Sequence, residues 1–207
     1  MARQRAAEPV MHAIDVIVGA DAQTIARVVW IGIAAVWVVA SLGAKRAVRY
    51  QSDRSRAVQA SLTIAAYLFL FSPSFHPGLL ARNLVPAWPS THALGLLLLL
   101  AGCLLAIWAR VALGGNWSAN VTVKQGHTLI TRGPYALVRH PIYSGLLLAA
   151  LGTAIVFGRA SGFLGFALLF SGFWIKSHTE EAFMQQEFGQ QYTRYKQRVR
   201  ALIPGIL

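Results

Sequence analysis

The segment Pro141–Ser177, "PIYSGLLLAALGTAIVFGRASGFLGFALLFSGFWIKS", decides the architecture. It reads as two apolar helices, about Pro141–Phe157 and Ser161–Ser177, joined by "GRAS". A connection that short permits only a helical hairpin. A membrane crossing takes about 20 mostly apolar residues. The same pattern recurs upstream at roughly Thr24–Ala44, Ala57–Ser72 and Ser90–Leu113, the last containing "LGLLLLLAGCLLAIW". The expected fold is therefore an all-α integral membrane protein with about five transmembrane helices, including the C-terminal hairpin. Gly145, Ala149 and Thr153, four apart, would let the fourth helix approach a neighbour closely; ordinary membrane-helix composition explains them equally well.

Composition agrees. The chain has 207 residues, 56% of them hydrophobic and only 13% charged, against about 25% charged in soluble domains. The net charge of +12 does not indicate nucleic acid, because the basic residues sit between apolar segments, where they set topology. "AKRAVRYQSDRSR" carries five basic residues and one acid, whereas "SPSFHPGLLARNLVPAWPS" carries one basic residue. The N-terminal 27 residues balance three basic against three acidic. By the positive-inside rule the N-terminus lies outside, with the 110–140 connection and the C-terminus cytoplasmic. Five spans give that parity. The lone Cys103 is an inert packing residue and provides neither a disulfide framework nor a cysteine zinc site. The segment before Thr24 faintly resembles a signal peptide, but His12 and Asp15 interrupt it, so an interfacial helix is expected there.

Two polar segments flank the hairpin. "VTVKQGHTLI" alternates around Gln125-Gly126 and reads as a short hairpin or extended arm. After the fifth span, "HTEEAFMQQEFGQQYTRYKQRVRALIP" carries Met184, Phe188, Tyr192, Tyr195 and Val199 at helical spacing. It reads as a cytoplasmic amphipathic helix. Its basic end, Arg194, Lys196, Arg198 and Arg200, suits an anionic membrane surface.

Three polar clusters fall on the cytoplasmic side. They are Arg110 with "LGGNWS", the run from His127 to Tyr143, and Lys176, His178, Glu180 and Glu181. The hairpin brings the second and third together, because its two cytoplasmic ends are neighbours. Taken singly, each residue has a structural reading. Arg110, Arg139 and Lys176 can be snorkelling anchors, Pro134 and Pro141 can start helices, and Thr179 with the two acids can cap one. Those readings do not explain why histidine, tyrosine and two acids collect at one membrane face. Polar groups there are costly unless satisfied or used, and a ligand site accounts for them together.

"GPYALVRHPIYSG", Gly133–Gly145, followed by "HTEE", "FGQQYTRY" and a final "IP", resembles the isoprenylcysteine carboxyl methyltransferase family. That family sits within a wider group of integral-membrane methyltransferases that includes phospholipid methyltransferases. The resemblance extends through "LGGNWS" and "GHTLITRGPY" and covers about Trp108 to Pro204. It divides a single membrane domain, 1–207, into generic N-terminal spans, 1–107, and a methyltransferase core, 108–204. It implies a non-Rossmann fold binding S-adenosyl-L-methionine, and the chain has no glycine-rich nucleotide fingerprint. It implies a cofactor pocket on the cytoplasmic side, built from His127, Leu129, Tyr135, Arg139, His140, Pro141, Tyr143, Gly145, Glu180 and Glu181.

Within that resemblance, Glu180 or Glu181 would take the cofactor's ammonium or ribose. Adjacent helix residues point about 100° apart, so one of the two faces the pocket and the other pairs with a basic residue. His140 and Arg139 would hold the cofactor carboxylate. Tyr135 and Tyr143 offer ring faces to a cation or hydroxyls, and His127 and Leu129 would contact adenine. Arg110 is the candidate clamp for an acceptor carboxylate, with Asn116 and Lys176 behind it. No ligand spacing supports a metal. The implied activity is carboxyl O-methylation of an isoprenylcysteine-like acceptor entering from the bilayer. Phospholipid or small-molecule N- or S-methylation on the same scaffold is the alternative within the enzyme class, and a non-catalytic membrane binding module is the alternative outside it.

Overall fold

A computed structural model describes residues 2–42, 47–50, 52–72, 78–114, 117, 122–124 and 128–207, without the side chains of 2–20, 47–50 and 122–124. Five long helices make the body: α1 (Ala2–Ser41), α2 (Asp53–Phe71), α3 (Pro89–Leu113), α4 (Pro141–Phe157) and α5 (Ala160–Phe188). A short α6 (Gln190–Arg198) follows. Two strands, β1 (Ala47–Tyr50) and β2 (Thr122–Lys124), pair antiparallel. The segments Asp21–Ser41, Pro89–Leu113 and Ala160–Phe188 are long and apolar enough to cross a membrane. α4 is apolar throughout but has 17 residues, and α2 spends its first turn on charged and polar residues.

Proline and glycine set the helix ends as their backbone chemistry requires. Pro89 and Pro141 occupy the first turns of α3 and α4, where a missing N–H costs nothing. Gly158, left-handed at φ +69°, closes α4, and α5 begins two residues later, so the hairpin exists as the short connection demands. α3 packs most extensively on α4, and α2 on α5. The α3–α4 contact runs backbone to backbone. A Cβ on Gly102 would lie 2.4 Å from the Gly145 carbonyl oxygen, and one on Gly152 would lie 2.4 Å from the Gly95 carbonyl oxygen. Gly102→Leu is therefore expected to push the pair apart. Overpacking a tight interface costs about 1–3 kcal/mol, and more where backbone is struck. Thermal unfolding in detergent checks this, and a variant as stable as wild type would refute the close packing.

α1 joins this core through Trp30. Its indole N–H donates to Thr153 Oγ1 on α4 at 2.9 Å, and its ring meets Tyr67 and Phe71 of α2 edge-on, with centroids 5.4 and 6.1 Å away.

Two sequence expectations are corrected. The segment before Thr24 is not a separate helix but the first half of α1, one helix from Ala2 to Ser41. Within "VTVKQGHTLI", Thr122–Lys124 takes the extended of the two forms expected, as β2, and pairs with β1, 70-odd positions earlier, with Tyr50 opposite Thr122. The helix beginning at "HTEE" is not separate from the fifth span. α5 continues unbroken to Phe188 and ends only at Gly189, whose φ of +49° suits glycine. A fall in hydropathy marks where apolar surroundings end and leaves the backbone hydrogen-bond ladder intact.

Candidate active site

A cavity of about 530 Å³ opens among α2, α4, α5, α6 and the connection before α4. That volume lies in the usual range of small-ligand sites, about 300–1,000 Å³. Its polar end is the start of α4 against the polar half of α5. Pro141 keeps His140 out of the helical conformation, at φ −124°. This leaves the His140 amide N–H to donate to the Ala201 carbonyl at 3.0 Å, beside the Arg139 N–H to the Arg200 carbonyl at 2.7 Å. Ser144 Oγ donates to the Leu202 carbonyl at 2.6 Å. The stretch after α6 therefore runs beside "VRHPIYS" as a backbone clasp.

Glu180 and Glu181, adjacent on α5, part company. Glu180 lines the cavity. His140 Nδ1 lies 3.2 Å from its Oε2, and the Tyr143 hydroxyl donates to its Oε1. Glu181 is not among the lining residues and is gripped by three cations. Arg139 Nη2 lies at 2.6 Å, Lys196 Nζ at 2.7 Å and His140 Nε2 at 3.3 Å. Arg139 also donates to the Val199 carbonyl. The rings of His140, Tyr143 and Phe173 stack in sequence, with centroids 5.5 and 4.7 Å apart. Lys176 Nζ sits 5.4 Å from the Tyr143 ring centre, four residues before Glu180 and so on the same helix face.

Both imidazole nitrogens of His140 face carboxylates, an arrangement that favours the doubly protonated ring. Burial alone would depress its pKa, but hydrogen bonds to Glu180 and Glu181 and their charges outweigh burial and hold it above the ordinary 6.5. A raised folded-state pKa contributes stability that is complete below the unfolded value and is lost as pH rises through the folded one. The other charged or titratable groups in this cluster are Arg139, Lys176, Lys196 and Tyr143. Thermal stability is therefore expected to fall as pH climbs above 6.5, and His140→Gln is expected to remove that component. An identical pH slope in the variant would refute it.

Of the residues singled out in sequence, Leu129, Tyr135, Arg139, His140, Tyr143, Lys176 and Glu180 line this cavity. The Tyr195 hydroxyl holds the Tyr135 carbonyl at 2.6 Å, which fixes the turn Gly133–Ala136. Pro141 starts its helix and Gly145 is spent on the α3 contact, so neither reaches the cavity. His178 turns outward, its Nδ1 2.8 Å from the Trp174 carbonyl. Asn116 and His127 lie outside the described residues.

Arg110 does not line the cavity. Its guanidinium caps two helix ends, donating to the Gly114 carbonyl at 2.8 Å and to the Ala40 carbonyl near the end of α1. It also covers the Trp117 ring at 4.5 Å. Cations at helix C-termini are favoured by the aligned peptide dipoles, and this one is buried. Among the cavity-lining residues overlooked in sequence are Trp37, Arg56, Gln59, Thr63 and Tyr67. The last four share one face of α2, and their spacing of three and four was the available signal.

Residues 90–191, just under half of the chain, match the phospholipid methyltransferase family model. Together with the apolar helices, this makes it an integral membrane protein. Among its relatives, protein-S-isoprenylcysteine O-methyltransferase of Schizosaccharomyces pombe is 40% identical over 119 residues, 56% of this chain and 50% of that one. A probable protein-S-isoprenylcysteine O-methyltransferase of Oryza sativa subsp. indica is 34% identical over 115 residues, 54% of this chain and 60% of that one. The resemblance read from the motifs is thereby borne out. The matches span half to three fifths of these relatives' length. A solved structure of a eukaryotic intramembrane Ras methyltransferase, isoprenylcysteine carboxyl methyltransferase, superposes with a TM-score of 0.48 at 25% identity, covering 77% of this chain and 55% of that one.

Proposed function

We propose that this chain is an S-adenosylmethionine-dependent membrane methyltransferase acting on the carboxylate of an isoprenylcysteine-like lipophilic acceptor. The observation carrying this reading is a single cavity with two characters. One end presents Glu180, His140, Tyr143 and Lys176, and the wall along α2 and α4 presents Ile64, Ile142 and Leu146. The relatives' names supply the reaction class.

The donor set fits the cofactor. Glu180 is an acid able to take an ammonium or ribose hydroxyls. The Tyr143 and Tyr135 rings suit a cationic centre. His140 and Lys176 offer positive charge to a carboxylate, and Leu129 and Ile130 line the cavity from irregular backbone. When bound, S-adenosylmethionine supplies an electrophilic methyl group. The protein's task is alignment and exclusion of water, which removes much of such a barrier. A carboxylate acceptor is ionised at neutral pH and needs no base. Arg139 and Glu181 hold the polar end together, and Arg110 is a positioning residue that fixes the ends of α1 and α3. Residues 108–204 form the methyltransferase core, and the loop charges set the N-terminus outside with the cavity and C-terminus cytoplasmic.

The alternatives are an N- or S-methyltransferase acting on phospholipid or small molecules, and a non-catalytic binding module. An amine acceptor would require an acid on its path, and among the described lining residues Glu180 is the one acid. Labelled S-adenosylmethionine with a farnesylated cysteine analogue, and with phosphatidylethanolamine in parallel, tests the assignment. Methyl esterification of the prenylcysteine is expected. Donor binding with no transfer to it would remove the acceptor assignment.

A further inference from the structure

Among the described residues, four basic side chains line the cavity: Arg56, Arg139, His140 and Lys176. Three are drawn toward its acidic end. Arg139 is held by Glu181 at 2.6 Å and by backbone carbonyls. His140 lies between the two glutamates. Lys176 sits over Tyr143, with the charge of Glu180 near it. Arg56 lines the cavity from α2, and its ion pair is of another kind. It meets Asp53 Oδ1 at 3.5 Å, within the first turn of α2, with the two side chains 45% and 93% exposed. Exposed pairs of this sort contribute little to stability, so exchanging Asp53 for an incoming anion costs little.

The fold fixes the place of Arg56 on the cavity wall. β1 ends at Tyr50, just before α2, and its partner β2 ends at Lys124, just before the lining residues Thr128–Ile130. The ladder therefore ties the start of α2 to the connection that walls the cavity. Below Arg56 the same helix face continues through Gln59, Thr63, Ile64 and Tyr67. It leads into a neighbouring apolar groove that also includes Leu68 and Phe71. From Arg56 to Phe71 the helix rises about 22 Å, which gives one cation at the head of a long greasy track.

We infer that Arg56 holds the acceptor's carboxylate and sets the site's preference for an anionic lipophilic acceptor, an assignment that rests on the acceptor class proposed above. A guanidinium matches a carboxylate with two parallel N–H donors. A neutral acceptor head forfeits the charge-assisted part of that contact.

The test is equilibrium binding to the full chain in detergent, saturated with S-adenosylhomocysteine, of N-acetyl-S-farnesylcysteine and its carboxamide. The wild type is expected to favour the acid by about tenfold or more. Arg56→Gln is expected to bring the two ligands within about twofold, with affinity for S-adenosylhomocysteine unchanged. Arg56→Glu is expected to reverse the preference. A preference for the acid that survives both substitutions overturns the role of Arg56 and leaves the acceptor class standing. Binding of S-adenosylhomocysteine with binding of neither farnesyl ligand overturns both.

Discussion

Glu180→Gln is expected to leave the protein folded and to lower S-adenosylmethionine binding, and with it methyl transfer, by about one to two orders of magnitude. The substitution keeps the shape and removes the charge. Glu180 is the carboxylate that faces the cavity, held in place by His140 Nδ1 at 3.2 Å and the Tyr143 hydroxyl. Tyr143 can still donate to the amide oxygen, and His140 keeps Glu181, so the surroundings stay assembled. The ammonium or ribose of the donor loses a charged partner, and a charge-assisted hydrogen bond is worth about 1.5–3 kcal/mol. Calorimetric titration of the donor into purified protein, beside a melting curve, separates the two effects. Unchanged donor affinity would mean that Glu180 is structural.

The neighbouring acid is expected to behave in the opposite way. Glu181→Ala strips the shared partner from Arg139, His140 and Lys196. The first two are nearly buried, with side chains 10% and 7% exposed, and Lys196 is 45% exposed. Removing one member of a buried ion pair costs about 3–5 kcal/mol, because the remaining charge stays desolvated without compensation. Lys196 adds little, since water can solvate it. The expected result is a large fall in melting temperature in detergent, partly recovered in Arg139→Met/Glu181→Met, where both charges leave together. A Glu181→Ala variant as stable as wild type would show that the three cations find other partners. Two adjacent glutamates are thus separated by one helical step of about 100°, which turns one toward ligand and the other toward the fold.

The sequence revealed the spans more readily than the walls of the site. α4 was legible to the residue, because Pro141 and Gly158 mark its ends and the run between them is apolar throughout. The convergence of the "RHP" segment with the acids of α5 followed from the short hairpin alone. Arg56 was hidden for a specific reason. It lies in a basic run that fixes topology by its sum, and a sum conceals which member turns inward. Arg110 was legible as unusual and illegible in its duty, because its partners are carbonyls at two helix ends that no side-chain pattern announces. The β1–β2 pairing was equally silent, since a strand of three residues carries too little pattern to choose a partner far away in the chain.

The clasp formed by Arg200–Leu202 on Arg139–Ser144 has a consequence for how the protein is made. Chains emerge from the ribosome N-terminus first. Arg139, His140 and Glu181 are therefore all made before residues 200–202, whose carbonyls the first two need. Until the clasp arrives, the amide N–H groups of Arg139 and His140 have only water for partners. The backbone that holds the polar end is therefore made after the side chains it sets, so a chain truncated after Val199 would keep Arg139, His140, Tyr143, Glu180, Glu181 and Lys196 without the carbonyls of residues 200–202.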